Sequence, residues 1–113
     1  MARHADADTE PLAPVEPVGM APYAAAGELL RALTAPVRIA VIDLLAEAPR
    51  CVHELVEALD IPQPLVSQHL RVLRGASLVQ TERRGREVVY RLSDKHVAHI
   101  VRDAVRHATE LGG

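Results

Sequence analysis

A mainly α fold carrying one small β-hairpin is what this sequence predicts, and three observations predict it. The core has to be built from Leu, Val, Ile and Ala, because 49% of the 113 residues are apolar while Tyr23 and Tyr90 are the sole aromatic rings; that composition leans helical. Apolar residues recur at helical spacing through 37–45, 52–59 and 66–73, and the last two runs are separated by the short connection Asp60-Ile61-Pro62. A stretch rich in β-branched residues, 78–92, then brackets the polar Arg83-Arg84-Gly85-Arg86. A chain of this length supports one core, so the expected organisation is a single domain over 20–113 preceded by a tail over 1–19.

Taken in order, residues 1–19 hold Pro11, Pro14 and Pro17 among Ala, Asp and Glu, a composition that buries too little apolar surface to offset its ordering entropy; a flexible acidic tail is expected. From Ala21 the chain becomes helix-favouring through Ala24, Ala25, Leu29, Leu30 and Leu33, until Ala35-Pro36 breaks it and starts a second helix with Pro in its first turn. That helix runs to about Glu47 on the stripe Val37, Ala40, Val41, Leu44 and Leu45, and Pro49 ends it. A third helix covers Val52 to Leu59 and a fourth about Pro64 to Arg74, with Gly75 as its stop. Two short helices joined by so few residues have the spacing of a helix-turn-helix. The segments Leu78–Glu82 and Glu87–Leu92 read as a hairpin with an arginine tip. From Asp94, a suitable N-cap, helical spacing returns through Val97, Ile100, Val101, Ala104, Val105 and Ala108.

The formal net charge of −2 conceals an asymmetry. Residues 1–28 carry five carboxylates against Arg3, a net of −4, whereas residues 62–91 carry six arginines against Glu82 and Glu87, a net of +4. The basic segment coincides with the fourth helix and the hairpin, where a duplex-binding surface belongs. On that helix Val66, Leu70 and Leu73 face inward, which turns Gln63, Ser67, Gln68, Arg71 and Arg74 elsewhere, with His69 either joining them or covering the core. Gln and Ser hydrogen-bond base edges or phosphates, and Arg binds guanine through two hydrogen bonds. Arg83, Arg84 and Arg86 add three cations at a turn suited to phosphate or a minor groove. Taken singly each feature also reads as a solvated polar face; together they point to a recognition helix with a basic wing. RRM- and OB-type single-strand modules stack bases on exposed aromatics, and the near absence of aromatic residues argues against them.

These residues resemble the ArsR/SmtB family of winged helix-turn-helix repressors. The resemblance lies in Leu33-Thr34-Ala35-Pro36-Val37-Arg38-Ile39, in Gln63-Pro64-Leu65-Val66-Ser67-Gln68-His69-Leu70-Arg71-Val72-Leu73, and in Gly85-Arg86-Glu87-Val88-Val89-Tyr90-Arg91-Leu92. It covers about residues 25–111, and its middle motif is the most specific. It implies a homodimeric prokaryotic repressor that binds a palindromic operator in double-stranded DNA and releases it when an inducer, often a metal ion, binds.

The last helix carries potential metal ligands at both ends: Asp94 and His96, then His107 and Glu110. The two histidines are separated by about 16.5 Å along the axis, at 1.5 Å per residue, and by only about 20° around it. One ion therefore cannot touch both in one chain, while two copies packed antiparallel would bring Asp94 and His96 of one to His107 and Glu110 of the other. Two nitrogens and two oxygens suit tetrahedral Zn(II), and symmetry makes a second site. By spacing alone these residues also read as an exposed polar face with Asp94 as a cap. The pattern Asp-x-His, ten residues, His-x-x-Glu is similar to the dimer-interface zinc site of SmtB-like sensors, and the resemblance implies that role here.

Other donors compete. His99, Asp103 and His107 share one face of the helix, although three in-line ligands wrap an ion poorly. Cys51-Val52-His53 stands where family members that sense soft metals place Cys-Val-Cys; with one thiolate, a site needing two or three sulfurs is incomplete, and redox sensing through Cys51 is a minor alternative. Met1-Ala2-Arg3-His4 would offer Cu(II) or Ni(II) a square-planar site if Met1 were removed. An Ni(II)- or Co(II)-sensing repressor with extra His or tail ligands is thus an alternative to the zinc reading, and a dimeric metal-binding module without DNA binding is another. No nucleophile and base pair, phosphate-cradling Gly loop or HExxH motif is present, so no enzyme is expected. Scattered apolar residues and a single cysteine predict no membrane span, no Sec export, no disulfide within the chain and a cytoplasmic location.

Overall fold

The computed structural model describes residues 11–112, which form five helices and three strands in the order α1 (Ala21–Ala32), α2 (Pro36–Glu47), β1 (Arg50–Cys51), α3 (Val52–Leu59), α4 (Gln63–Gly75), β2 (Val79–Arg84), β3 (Glu87–Leu92) and α5 (Lys95–Gly112). Residues 11–19 are exposed and belong to no helix or strand. The expectations placed on His4, Asp6 and Asp8 lie outside the described residues. No helix among the described residues is long and apolar enough to cross a membrane.

Local chemistry accounts for most of the boundaries. Proline opens α1, α2 and α4 within their first two positions, where its missing N–H costs no intrahelical bond. At the start of α3, Glu54 accepts the backbone N–H of Cys51 at 2.9 Å, half of a capping box in which Cys51 stands where Ser or Thr is usual. Asp60 then takes a left-handed conformation (φ 56°) and closes the helix through its N–H to the Val56 carbonyl. Asp94 caps α5 as expected, its Oδ1 accepting the N–H groups of His96 at 2.8 Å and Val97 at 3.2 Å.

Three details correct the sequence reading. Gly75 is the last residue of α4 rather than its stop, and the left-handed residue that turns the chain is Ser77 (φ 61°), whose N–H reaches the Arg74 carbonyl. The hairpin strands run on to Arg84 and Glu87 and leave a two-residue turn, Gly85-Arg86. Of these two only Gly85 has a positive φ (63°), the pattern of a II′ turn matched to strand twist. The third is β1, a two-residue strand that pairs Arg50 with Tyr90 and Cys51 with Val89 to give the antiparallel order β1-β3-β2.

The core gathers α2, α3, α4, the base of the hairpin and one side of α5. Val41, Ile42, Leu55, Val66, Leu70, Leu73, Leu78 and Val101 are all buried. Ile42 lies off the predicted α2 stripe yet is 0% exposed, because α2 is central and packs against α3, α4, α5 and β3 rather than against one neighbour. The inward set expected for α4, Val66, Leu70 and Leu73, is the buried set. By contrast α1 buries only Ala32.

Candidate functional site

The helix-turn-helix pair α3 and α4 presents the polar side of α4 outward. Gln63, Gln68, Arg71 and Arg74 are exposed, while Ser67 and His69 are half-buried. Going round the helix at 100° per residue, Gln68 and Arg71 sit near the middle of the exposed face. Ser67 and Arg74 occupy one flank and His69 the other, where Nη1 of Arg38, reaching across from α2, lies 3.1 Å from its Nδ1.

The wing divides its arginines. Cross-strand partners and alternate residues share a face of a hairpin, so the register places Glu82, Arg84, Glu87 and Arg91 on one face and Arg83 on the other. Arg84 accordingly pairs with Glu82 at 3.0 Å, and Arg91 approaches the same carboxylate at 3.6 Å. These two guanidiniums, Arg84 first, hold the Glu82 carboxyl below its ordinary range. Arg83 and Arg86 have no carboxylate partner among the described residues, so their charge is the part of the tip directed at solvent.

The four proposed α5 ligands are all exposed, with Asp94 and His96 at one end of the 18-residue helix and His107 and Glu110 towards the other. One chain does not bring them together. His99, Asp103 and His107 are likewise exposed along one helix and do not converge as a cluster. The donor chemistry of the first set fits a borderline cation such as zinc, since Asp94 uses Oδ1 for capping and keeps Oδ2.

Sequence reasoning named Cys51 and His53 as competing donors but did not anticipate the third member of their cluster. Cys51 on β1, His53 on α3 and Glu87 on β3 each offer a ligand atom within 4.8 Å of the other two. They line a cleft of about 320 Å³ with Val52, Gln63 and Val88. Sγ of Cys51 lies 3.2 Å from Nδ1 of His53 and 3.3 Å from Oε1 of Glu54. Burial pushes the thiol above its ordinary range, and the neighbouring Glu54 carboxylate adds to this. The available signal was Cys-x-His; that Glu87 joins it depends on the pairing of β1 with β3, which brings residues 36 positions apart together.

Glu54 gains from the same contact. The Cys51 N–H, and then the thiol, hold its carboxyl below the ordinary range. A depressed folded value means that its stabilisation is complete above the unfolded value and is lost as pH falls through the folded one. The melting temperature of the protein is therefore expected to fall on acidification below about pH 5. It should fall less steeply in Glu54→Gln, whose amide still accepts the Cys51 N–H but does not titrate; equal slopes in thermal melts across that range would remove the assignment.

Comparison with known proteins bears on these surfaces. Residues 35–81 match the family model described as bacterial regulatory protein, arsR family, a span from the start of α2 into β2. The chain is 69% identical over 86 residues to the HTH-type transcriptional repressor SmtB of Mycobacterium tuberculosis H37Rv, covering 76% of this chain and 64% of that one. It thus spans a little under two-thirds of that relative's length. To the HTH-type transcriptional regulator NmtR of the same strain it is 38% identical over 98 residues, covering 87% and 82% of the two chains. Among solved structures, the homodimeric winged helix-turn-helix DNA-binding domain Mb0332 from Mycobacterium bovis superposes with a TM-score of 0.72 at 27% identity, over 80% of this chain and 83% of that one. The architecture is that of a winged helix-turn-helix, and the relatives are transcriptional regulators rather than enzymes.

Proposed function

Because the chain belongs to the arsR family of bacterial regulatory proteins, we propose that it is a metal-responsive transcriptional repressor, with Zn(II) as its inducer. It binds operator DNA as a homodimer and releases it when metal is held between the C-terminal helices. The observation that carries the DNA half is the pairing of an outward polar face on α4 with two wing-tip guanidiniums, Arg83 and Arg86, that no carboxylate among the described residues neutralises. In this reading Gln68 and Arg71 reach base edges, Gln63, Ser67, His69 and Arg74 hold the groove walls, and Arg83, Arg84 and Arg86 follow the adjacent backbone. A palindromic site follows from two-fold symmetry, with half-sites about 34 Å apart.

The surface left over on the single chain supports the dimer. Leu30 is 49% exposed, Ile100 39% and Val105 38%, and they line, with Leu33, Ile39 and Ala104, an apolar groove of about 330 Å³ between α1, α2 and α5. A second copy laid on that groove would cover both the groove and the largely exposed α1. It would also set α5 against α5, the arrangement in which Asp94 and His96 of one copy approach His107 and Glu110 of the other. Zinc held there joins the two helices and favours a spacing of the recognition helices that fits the operator less well.

A second reading has its own observation. Cys51, His53 and Glu87 already converge within one chain, and sulfur, nitrogen and oxygen donors with one open position also suit zinc. Both readings share one test: fluorescence anisotropy of the full chain on duplex DNA from upstream of its own gene, at fixed salt, with added zinc or with chelator. Zinc is expected to weaken binding. Tighter binding with zinc would make the protein a metal-dependent corepressor type, and unchanged binding would remove the metal from the function.

A further inference from the structure

Arg38 links three helices. From α2, its Nε donates to the carbonyl of Ala32, the last residue of α1, at 2.6 Å, and its Nη1 meets Nδ1 of His69 on α4 at 3.1 Å. A guanidinium has donors only, so Nδ1 is the acceptor, and a neutral ring that accepts at Nδ1 carries its proton on Nε2. That second nitrogen has no partner among the described residues, and none of their buried side-chain nitrogens or oxygens lacks one; Nε2–H therefore opens to solvent. His69 stands on the flank of α4 opposite Ser67 and Arg74. When the middle of a helix face points into a groove, its flanks meet the groove walls, which are phosphates.

We propose that Arg38 is a positioning residue for DNA binding: it fixes the tautomer of the His69 ring that carries its proton on Nε2, and aims that N–H at a backbone phosphate beside the groove entered by α4. The proposal rests on the DNA-binding reading above and adds to it a residue that touches no DNA. The same guanidinium fixes the end of α1, so the aim of His69 is tied to the helix that lines the apolar groove.

Two measurements on the full chain test it. In the free protein, nitrogen-15 NMR of the neutral ring should show His69 protonated on Nε2 with Nδ1 as an acceptor. Arg38→Met, which keeps the apolar stem and removes every donor, should release a second population protonated on Nδ1. On DNA, Arg38→Met and His69→Ala should each weaken binding about tenfold, the scale of one hydrogen bond to a charged group. The factor should be the same on the upstream duplex and on a scrambled duplex, since a phosphate carries no sequence. Arg38→Met made in the His69→Ala background should cost nothing further. A full additional loss in that background, or a wild-type ring protonated on Nδ1, overturns the proposal. If Arg38→Met does not fold, Arg38→Lys retains the charge on a single donor nitrogen in place of the guanidinium fork, and the same cycle is run with it. Absence of DNA binding by the wild type would sink the repressor reading and the phosphate contact together, whereas the ring measurement needs no DNA and reports the Arg38 contact alone.

Discussion

The double variant Arg83→Ala/Arg86→Ala is expected to bind upstream DNA with a salt dependence shallower by about 1.8 in a plot of log K against log salt, since each lost phosphate contact removes about 0.9. Counterion release alone then lowers affinity roughly 60-fold at about 0.1 M salt. Arg84→Ala should cost clearly less than either single change. The register puts Arg84 beside Glu82, where a 3.0 Å ion pair already occupies it, so moving it to a phosphate first requires giving up that pair. Arg83 points from the opposite face, and Arg86 sits in the turn itself. All three side chains are exposed, so the variants should melt with the wild type and any loss reports binding rather than folding. Titrations at several salt concentrations check the slope. An unchanged slope in the double variant would mean that the wing does not lie on DNA.

This division among neighbouring arginines marks how far the sequence could be read. The net charge of the tip was visible in Arg83-Arg84-Gly85-Arg86, but which guanidiniums are spent within the protein depends on strand register, and register rests on where the two-residue turn falls. Helices α2, α3 and α4 were legible because apolar spacing and flanking prolines act over a few residues. Strand β1 was not, since Arg50-Cys51 is too short to show any alternation. The left-handed turn at Ser77 carries no Gly or Asn to announce it. The contacts that matter most to the site have the longest sequence separations: Arg38 to His69 spans 31 positions, and Cys51 meets Glu87 only through the β1-β3 pairing. Local patterns thus placed α4 and the wing, and tertiary pairing decided which of their side chains are free, held or convergent.

Substitution of His107 by Ala is expected to leave DNA affinity without metal unchanged and to abolish the weakening caused by zinc. In the wild type that weakening should lie between about 5-fold and 150-fold, the usual range of coupling between two sites. His96→Ala should behave the same way, because an ion shared between two α5 helices loses a nitrogen ligand in either case. Both residues are exposed and lie on α5, outside α4 and the wing hairpin, so neither change should disturb folding or contacts with DNA. Glu87→Gln supplies the contrast: it removes a carboxylate ligand from the Cys51 and His53 cluster with little change of shape, and should leave the zinc response intact. The reverse pattern, a response lost in Glu87→Gln and kept in both histidine variants, would move the inducing site to the cleft between β1, α3 and β3. That outcome would also change the physical account of release. An ion on Glu87 would act within one subunit on β3, the strand that leaves the wing turn, and not on the distance between the two recognition helices. Mixed dimers separate the two cases directly. A heterodimer of His96→Ala and His107→Ala chains keeps one complete intersubunit ligand set, from the unsubstituted His96 of one chain and the unsubstituted His107 of the other, and should recover part of the zinc response that each homodimer lacks.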